Sequence, residues 1–574
     1  MSASNGAAPR TLWPARRGLV TLLDYAARSH WHATALLLLG SLIAFLPGFF
    51  QIPPIDRDEP RFAQATKQMI ETGDYVDIRF QDKVRYKKPI GIYWMQAAAV
   101  RTLEALGVRN AHTAIAAYRV PSLIGAIGAV LATYWCALAF VGRRGAILAA
   151  LMMASSLLLS VEARLATTDA MLLLTVVAAM GALARAYLAP RQAGAASLRP
   201  ILPAIFWTAL AAGILIKGPL IVLFVGLTAV SISIFDHSAR WLAALRPLAG
   251  LAWLLLLALP WFVAIYLRAG NAFLADAVTK DVVAKILSAE ETHSGPPGLY
   301  FVLFFAAFYP GSILAGLAAP SVWATRREPA TRFLLAWLGP SWILFELIPT
   351  KLPHYVLPLY PAIAILIAAA LESKTLSQRP WLKLGAIGWW LVPLVVGIAT
   401  LAAAFTSQDD VVPLAWPFLA AAIAGGVLAW RSYAADNAEA ALLRGTAASI
   451  LFVIGICGFV VPALKPPSLA LAAVLRQAGC AHPLAAAAGY EEPSLVFLTG
   501  SETYDNLAFK AADFLQRGGC RFAFIDARLL PYFTARAQAI GLRYERQPAV
   551  EGFNFSRGNL ITVDVFRAIG DPSQ

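Results

Sequence analysis

The stretch "ALLLLGSLIAFLPGFFQIPPIDRDEPRF", residues 35–62, passes from an unbroken apolar run into a knot of charge. The apolar part, 33–50, approaches the ~20 residues that cross hydrocarbon as a helix. Asp56, Arg57, Asp58, Glu59 and Arg61 follow at once. A chain with this pattern is leaving a membrane, and its charge either caps a surface helix or forms the working end of an enzyme.

The whole sequence agrees with the first half of that reading. Of 574 residues, 59% are hydrophobic and 14% charged, whereas a soluble chain carries about 25% charged residues. Thirteen apolar stretches are candidate spans: 33–50, 115–141, 146–160, 170–188, 201–216, 219–235, 247–267, 299–323, 333–349, 355–371, 384–405, 411–430 and 446–464. The fold class expected is a polytopic α-helical membrane protein. Between the fifth and sixth stretches, Lys217, Gly218 and Pro219 predict a turn between two short spans.

The net charge of +14 raises the question of a nucleic-acid partner. Such a partner calls for a basic stripe interleaved with aromatics, and the sequence has none. The Lys and Arg residues instead sort by loop. With a cytoplasmic N-terminus, nineteen fall in inside segments and six in the short outside loops, as the positive-inside rule requires. Anionic membrane lipid is the expected partner for the remainder. The first apolar run follows Arg10, Arg16, Arg17 and Arg28, lacks a small-residue cleavage pattern, and reads as an anchor that stays in place. An odd number of spans puts the tail on the outer face.

Two outside segments exceed what a connector needs. In 51–114, "EPRFAQATKQMIETG" reads as a helix with Pro60 in its first turn and Gly73 as its stop. "DYVDIRF" reads as extended, and "PIGIYWMQAAAVRTLEALG" as an amphipathic helix lying at the membrane surface. The other segment, 268–298, has few local signals and is expected to act as a lid. From about 466 helix-like and strand-like patterns alternate, which predicts a membrane domain over 1–465 and an outer α/β domain over 466–574. The tail has no phosphate-cradling glycine motif. Cys136 and Cys457 fall in apolar spans and read as core. Cys480 and Cys520 lie in the tail, where an oxidising compartment permits pairing, although spacing alone does not establish it.

Most polar motifs fall on the outer side: "DRDEPRF", "RYKKPIGIYW", "EARLATTDA", "IKGP" and "PTKLPHYVLPLYP". Ionisable groups beside apolar helices are costly and usually line a cavity. That one-sided clustering, without an internal repeat, argues against a transporter or flippase, whose polar groups gather near the midplane. It also argues against a structural scaffold.

In order along nearly the whole chain, "IDRDEPRFA", "KKPIGIYW", "TTDAMLL", "KGPL", "TKLPHYVLPLYPA" and "EEPSLVFLTG" resemble the bacterial aminoarabinose transferases that modify lipid A, a family of the GT-C glycosyltransferase class. The resemblance implies a donor of undecaprenyl-phosphate-linked 4-amino-4-deoxy-L-arabinose and a lipid A phosphate acceptor. It further implies chemistry at the periplasmic face of a bacterial inner membrane, with inversion at the sugar carbon. Another polyprenyl-linked sugar, such as a uronic acid or mannose, and another acceptor are the alternatives. No cofactor is required, and a divalent ion stays open; Glu290, Glu291 and His293 are candidate ligands, with solvated loop charge the simpler reading.

The residues suit such a transfer. Departure of a lipid phosphate from a sugar builds negative charge, and fixed cations stabilise it most in the transition state. Lys88, held in extended backbone by Pro89, is the first candidate. Arg61, Lys217 and Lys351, with the Tyr355 hydroxyl as a neutral donor, are the others. Asp58 is expected to position the acceptor, and Glu59 to share the acidic corner; capping of the helix near Pro60 is compatible with both. Asp169 either caps its span or contacts the sugar, including its 4-ammonium group. Glu491 and Glu492 read as ties between tail and core.

Overall fold

The computed structural model describes residues 15–55, 58–189, 200–270, 273, 295–407, 412–480, 482–500, 503–505 and 507–569. Helices occupy all thirteen apolar stretches, and six helices, Ile115–Ala137 among them, are long and apolar enough to cross a membrane by themselves. The protein is a multi-pass helical membrane protein. An amphipathic helix α1 (Ala15–Ala26) precedes the first apolar helix, α2 (His30–Phe45).

Helix α2 is shorter than its apolar run. It ends at Leu46 and Pro47, and Gly48 turns the chain with φ of +77°. A Cβ on Gly48 would stand 1.7 Å from the Cys457 carbonyl oxygen, so only glycine fits this turn. The chain then enters α3 (Asp58–Thr72), a two-strand hairpin (β1, Arg79–Phe80; β2, Lys83–Val84) and α4 (Gly91–Ala105). These reproduce the two helices expected in the first outer loop; only a short piece of the extended stretch forms a strand.

Helices α5 (Ile115–Ala137) and α8 (Asp169–Leu188) pack in the middle of the helical core, between them α6 (Arg143–Ala154) and α7 (Leu157–Glu162). The single span expected over 146–160 is interrupted at Ser155 and Ser156. Ser156 caps the second helix, its Oγ accepting the Leu159 N–H at 3.5 Å and donating to the Ala307 carbonyl at 2.9 Å, while Ser155 Oγ bonds back to the Leu151 carbonyl. The pair α9 (Ile201–Lys217) and α10 (Leu220–Phe235) meets at the expected turn, where Gly218 adopts φ +66° and ψ −142°. Helix α11 (Pro247–Ala269) follows. The span expected over 299–323 is instead two helices, Leu299–Ala307 and Gly311–Ala324, bent by 119°. Pro310, at the break, lacks the N–H needed to continue a helix. Further helices run over Pro329–Leu347, Tyr360–Glu372, Gly388–Ser407, Ala415–Ala434 and Ala438–Gly455, with a 3-10 segment at Pro353–Leu359.

The tail contains a five-stranded sheet in the order β4 (Tyr504–Asp505), β3 (Leu484–Ala488), β5 (Arg521–Asp526), β7 (Asn559–Ala568), β6 (Tyr544–Asn554). The β3–β4 and β3–β5 pairs are parallel, while β7 runs antiparallel to β5 and β6. Strand β5 is buried on both faces, as central parallel strands are. Phe522 and Phe524 join Leu471, Leu475 and Tyr490 on one side; Ala523 and Ile525 join Phe514, Phe533 and Phe566 on the other. Cys480 and Cys520, just before β3 and β5, form a disulfide with Cα atoms 6.4 Å apart.

A buried ion pair ties these parts together. Arg119 of α5 and Glu59 of α3 are both inaccessible to solvent. Arg119 Nε and one terminal nitrogen donate to the two Glu59 oxygens at 2.6 and 2.9 Å. The other donors reach the carbonyls of Phe49 (3.1 Å), Ile52 (2.7 Å) and Pro53 (3.3 Å). All five guanidinium N–H groups are thereby used. Glu59 Oε1 also accepts the Ala166 N–H at 3.0 Å. Arg164 plays a similar part nearby, donating to the carbonyls of Ala44, Pro47 and Ser160.

Helix α3 packs against the helix Pro493–Thr499 of the tail. Phe497 sits edge-on to Tyr118, with ring centroids 5.5 Å apart. Lys67 Nζ donates to the Phe497 carbonyl at 3.3 Å. Glu492, expected to tie tail to core, bonds Asn554 and Ser556 within the tail itself.

Replacing Glu59 by Gln leaves the Arg119 charge buried without a counter-ion. Loss of one partner of such a pair costs roughly 3–5 kcal/mol. The expected result is a lower melting temperature for purified Glu59→Gln protein, with part of the loss recovered in Glu59→Gln/Arg119→Met. A Glu59→Gln protein as stable as the parent would show that the pair does not hold the fold.

Candidate active site

Four outer segments converge. Gly91, at the start of α4, lies so close to the end of α9 that a Cβ would meet the Leu215 backbone at 2.7 Å. This brings the "KKPIG" turn against "IKGP", with Pro89 beside Gly218. Gln96 of α4 donates to the Ala166 carbonyl and accepts from the Thr66 hydroxyl, joining the first outer loop to "EARLATTDA".

At the centre is a carboxylate–ammonium pair. Asp169 opens α8 and Lys217 closes α9; Lys217 Nζ lies 2.5 Å from Asp169 Oδ1, with each side chain only 7% exposed. An acidic first turn and a basic last turn both complement the helix dipoles. Tyr355 lies under the ammonium, with Nζ 5.7 Å from its ring centroid. The half-buried Lys88 is near enough for its charge to act on Asp169. Of the expected residues, Lys88, Asp169, Lys217 and Tyr355 are therefore together.

Two residues from the quoted motifs that were not singled out complete this cluster. His354 Nδ1 is 3.5 Å from Glu162 Oε1, and its Nε2 is 3.8 Å from Asp169 Oδ1. The Thr167 hydroxyl holds the other Glu162 oxygen at 3.1 Å. The available signal was an ionisable residue in each outer motif: Glu162 in "EARLATTDA" and His354 in "KLPHY".

Asp58 and Arg61 form a more open corner at the start of α3. They are 3.5 Å apart, and the Asp58 side chain is 58% exposed. Its charge reaches Tyr93 of α4, whose hydroxyl accepts from Arg85 at 3.3 Å. Arg85 also stands over Phe62, 4.9 Å from the ring centroid. This corner carries an accessible carboxylate among arginines, whose guanidinium groups are donors of the kind that pair with carboxylate or phosphate.

Two expected site residues have other work. Glu59 faces inward, and both of its oxygens are occupied by Arg119 and the Ala166 N–H. Lys351 Nζ donates to the carbonyls of Phe345, Glu346 and Ile348 at 3.1, 2.8 and 3.0 Å. An ammonium has three donors, so Lys351 is spent on the C-terminal end of helix Pro329–Leu347. Glu290, Glu291 and His293, and most of the expected lid, lie outside the described residues. Among the described residues, no group of three or more His, Cys, Asp or Glu is arranged to hold a metal ion.

The fold is that of ArnT from Cupriavidus metallidurans. Its structure bound to undecaprenyl phosphate matches 97% of this chain and 99% of its own, with a TM-score of 0.74 and 17% identity. The apo structure gives a TM-score of 0.72. In sequence, the chain is a relative of the undecaprenyl phosphate-α-4-amino-4-deoxy-L-arabinose arabinosyl transferases. It is 25% identical over 363 residues to the Pectobacterium carotovorum protein, covering 61% of this chain and 62% of that one. It is 29% identical over 370 residues to the Pseudomonas paraeruginosa protein, covering 63% and 64%. The alignments thus span under two thirds of these relatives. The family model for dolichyl-phosphate-mannose-protein mannosyltransferase matches residues 104–273. The resemblance drawn from the six motifs is borne out.

Lys351→Met removes a cation from three carbonyls. Hydrogen bonds to charged groups are worth roughly 1.5–3 kcal/mol each in stability terms, and the substitution is expected to lower the melting temperature markedly. Unchanged stability in Lys351→Met would return Lys351 to the list of residues available for a ligand.

Proposed function

We propose that this chain is a lipid-linked glycosyltransferase that moves 4-amino-4-deoxy-L-arabinose from undecaprenyl phosphate to a lipid A phosphate, with inversion at the transferred carbon. The observation that carries the reading is the meeting of Lys88, Lys217 and Asp169 from three outer segments in a chain related to the arabinosyl transferases. In this reading the chain crosses a bacterial inner membrane an odd number of times, with its N-terminus in the cytoplasm and both pocket and tail in the periplasm. A Cys480–Cys520 disulfide suits that oxidising compartment.

In this reading Lys88 receives the carrier phosphate, aided by Lys217 and the Tyr355 hydroxyl. As the sugar–oxygen bond breaks, its electron pair passes to the phosphate, and the cations stabilise the charge that develops there. The acceptor phosphate is already anionic, so its oxygen needs no strong base to attack the sugar carbon. Asp58 and Arg61 position that acceptor, while Asp169 contacts the sugar. A cationic sugar on lipid A reduces the negative charge of the outer surface. Cationic antimicrobial peptides such as polymyxin then bind it less.

The mannosyltransferase family model over 104–273 favours a second reading, transfer of another polyprenyl-linked sugar to a different acceptor. Mass spectrometry of lipid A from cells with and without the gene separates the two. The expected outcome is an aminoarabinose mass addition that depends on the gene. Asp58→Asn is expected to lower transfer by roughly 10²–10³-fold with folded yield unchanged. Full activity in a normally expressed Asp58→Asn protein excludes that role. Lys88→Ala is expected to weaken carrier binding by roughly tenfold or more, the value of one charge-assisted hydrogen bond; equal affinity in a titration with undecaprenyl phosphate rejects the assignment.

A further inference from the structure

Glu162 and His354, beside Asp169, are the part of the pocket with no assigned work. His354 lies at the start of the 3-10 segment Pro353–Leu359, and its side chain is 22% exposed. Glu162 holds Nδ1 at 3.5 Å and is itself held by Thr167 at 3.1 Å. A carboxylate on one ring nitrogen fixes how the other is presented. That other nitrogen, Nε2, faces Asp169 Oδ1 at 3.8 Å, the oxygen that Lys217 contacts at 2.5 Å. The second Asp169 oxygen takes the Thr168 hydroxyl at 3.3 Å. His354 and Lys217 therefore face the same carboxylate oxygen, which Lys217 alone bonds.

The surrounding charges make this arrangement matter. Glu162 from α7, Asp169 from α8 and Lys217 from α9 face the imidazole. Tyr355 on its own segment stands 5.1 Å from it, ring to ring. Other nearby groups are engaged elsewhere. Tyr300 accepts the Leu352 N–H at 3.2 Å, and Glu346 is 3.7 Å from Lys351. With a neutral imidazole, two carboxylates face one ammonium, and the balance is one negative charge. With an imidazolium it is zero, and Lys88, which also acts on Asp169, makes the pocket positive.

We propose that His354 is a positioning residue for the carrier phosphate: the imidazolium takes a share of Asp169 Oδ1 and releases Lys217 to the phosphate, whereas the neutral ring leaves Lys217 locked on Asp169. The inference rests on the carrier-binding reading given above. Its sign follows directly. Affinity for a phosphate of fixed charge rises as pH falls through the titration of His354, and it falls as that proton is lost.

The test uses the full chain in detergent micelles and a polyprenyl methyl phosphate. This diester keeps one negative charge between about pH 5.5 and about pH 8.5, so only the charge of the protein changes across that range. The expected result is binding roughly tenfold tighter at the acidic end, the effect of about one unit charge near the ligand. His354→Gln and His354→Asn keep a hydrogen-bonding side chain but cannot titrate. Both are expected to bind at the weak, high-pH level throughout. A role confined to packing would lower affinity equally at every pH and leave the slope. Equal wild-type affinity across the range, or a slope that survives in a folded His354 variant, overturns the proposal. Absence of binding at every pH would instead remove the carrier reading on which it stands.

Discussion

The outer pocket depends on one interaction, the Arg119–Glu59 pair. Two full charges inside a helical core lose much hydration, and their attraction offsets that loss only when every remaining donor and lone pair is met. Arg119 meets this condition by drawing in the carbonyls of Phe49, Ile52 and Pro53, and Glu59 by accepting from Ala166. The exit from α2, the start of α3, the body of α5 and the approach to α8 are thereby held at one point. Asp58 is the next residue to Glu59. Its exposed position follows from the inward fixing of its neighbour. The pair contributes geometry more than stability, since an apolar replacement of both members is often no worse for ΔG.

This separates two uses of charge that look alike in sequence. A cation deep in a membrane protein can satisfy broken backbone or it can face a ligand. Arg119, Arg164 and Lys351 belong to the first kind: each donates to at least three carbonyls at helix ends or in irregular chain. In hydrocarbon, unpaired carbonyls are so costly that irregular backbone survives only with such partners. Lys217 is not of the first kind. Its one hydrogen bond among the described residues goes to a carboxylate, and two of its three N–H donors are left.

Much of the architecture was legible because periodicity and punctuation carry it. Apolar runs marked the helices, Pro60 and Gly73 bounded α3, and the Lys217–Gly218–Pro219 turn followed from residues that cannot continue a helix. Outer motifs rich in charge pointed to a common pocket, and Lys88, Asp169, Lys217 and Tyr355 do meet there. The breaks at Ser155–Ser156 and at Phe308–Pro310 were not legible, because hydropathy averages over a bend and registers only the total apolar length. Arg119 was passed over for the same reason: inside an apolar run it looks like an interruption, and its five partners lie 60 to 70 residues away.

The misassigned Lys351 and the overlooked His354 show where sequence motifs stop carrying information. Both lie in "TKLPHY", three residues apart, and by chemical type the lysine is the better phosphate ligand. Backbone geometry reverses the order. Lys351 lies four residues past the end of helix Pro329–Leu347, whose last turn leaves carbonyls without N–H partners, and its ammonium folds back onto them. His354 comes after Pro353, in a 3-10 turn that projects its ring toward α7 and α8 instead. The decision between structural and functional charge is therefore made by which backbone groups a turn leaves unpaired. That quantity belongs to the three-dimensional path of the chain and has no counterpart in residue type.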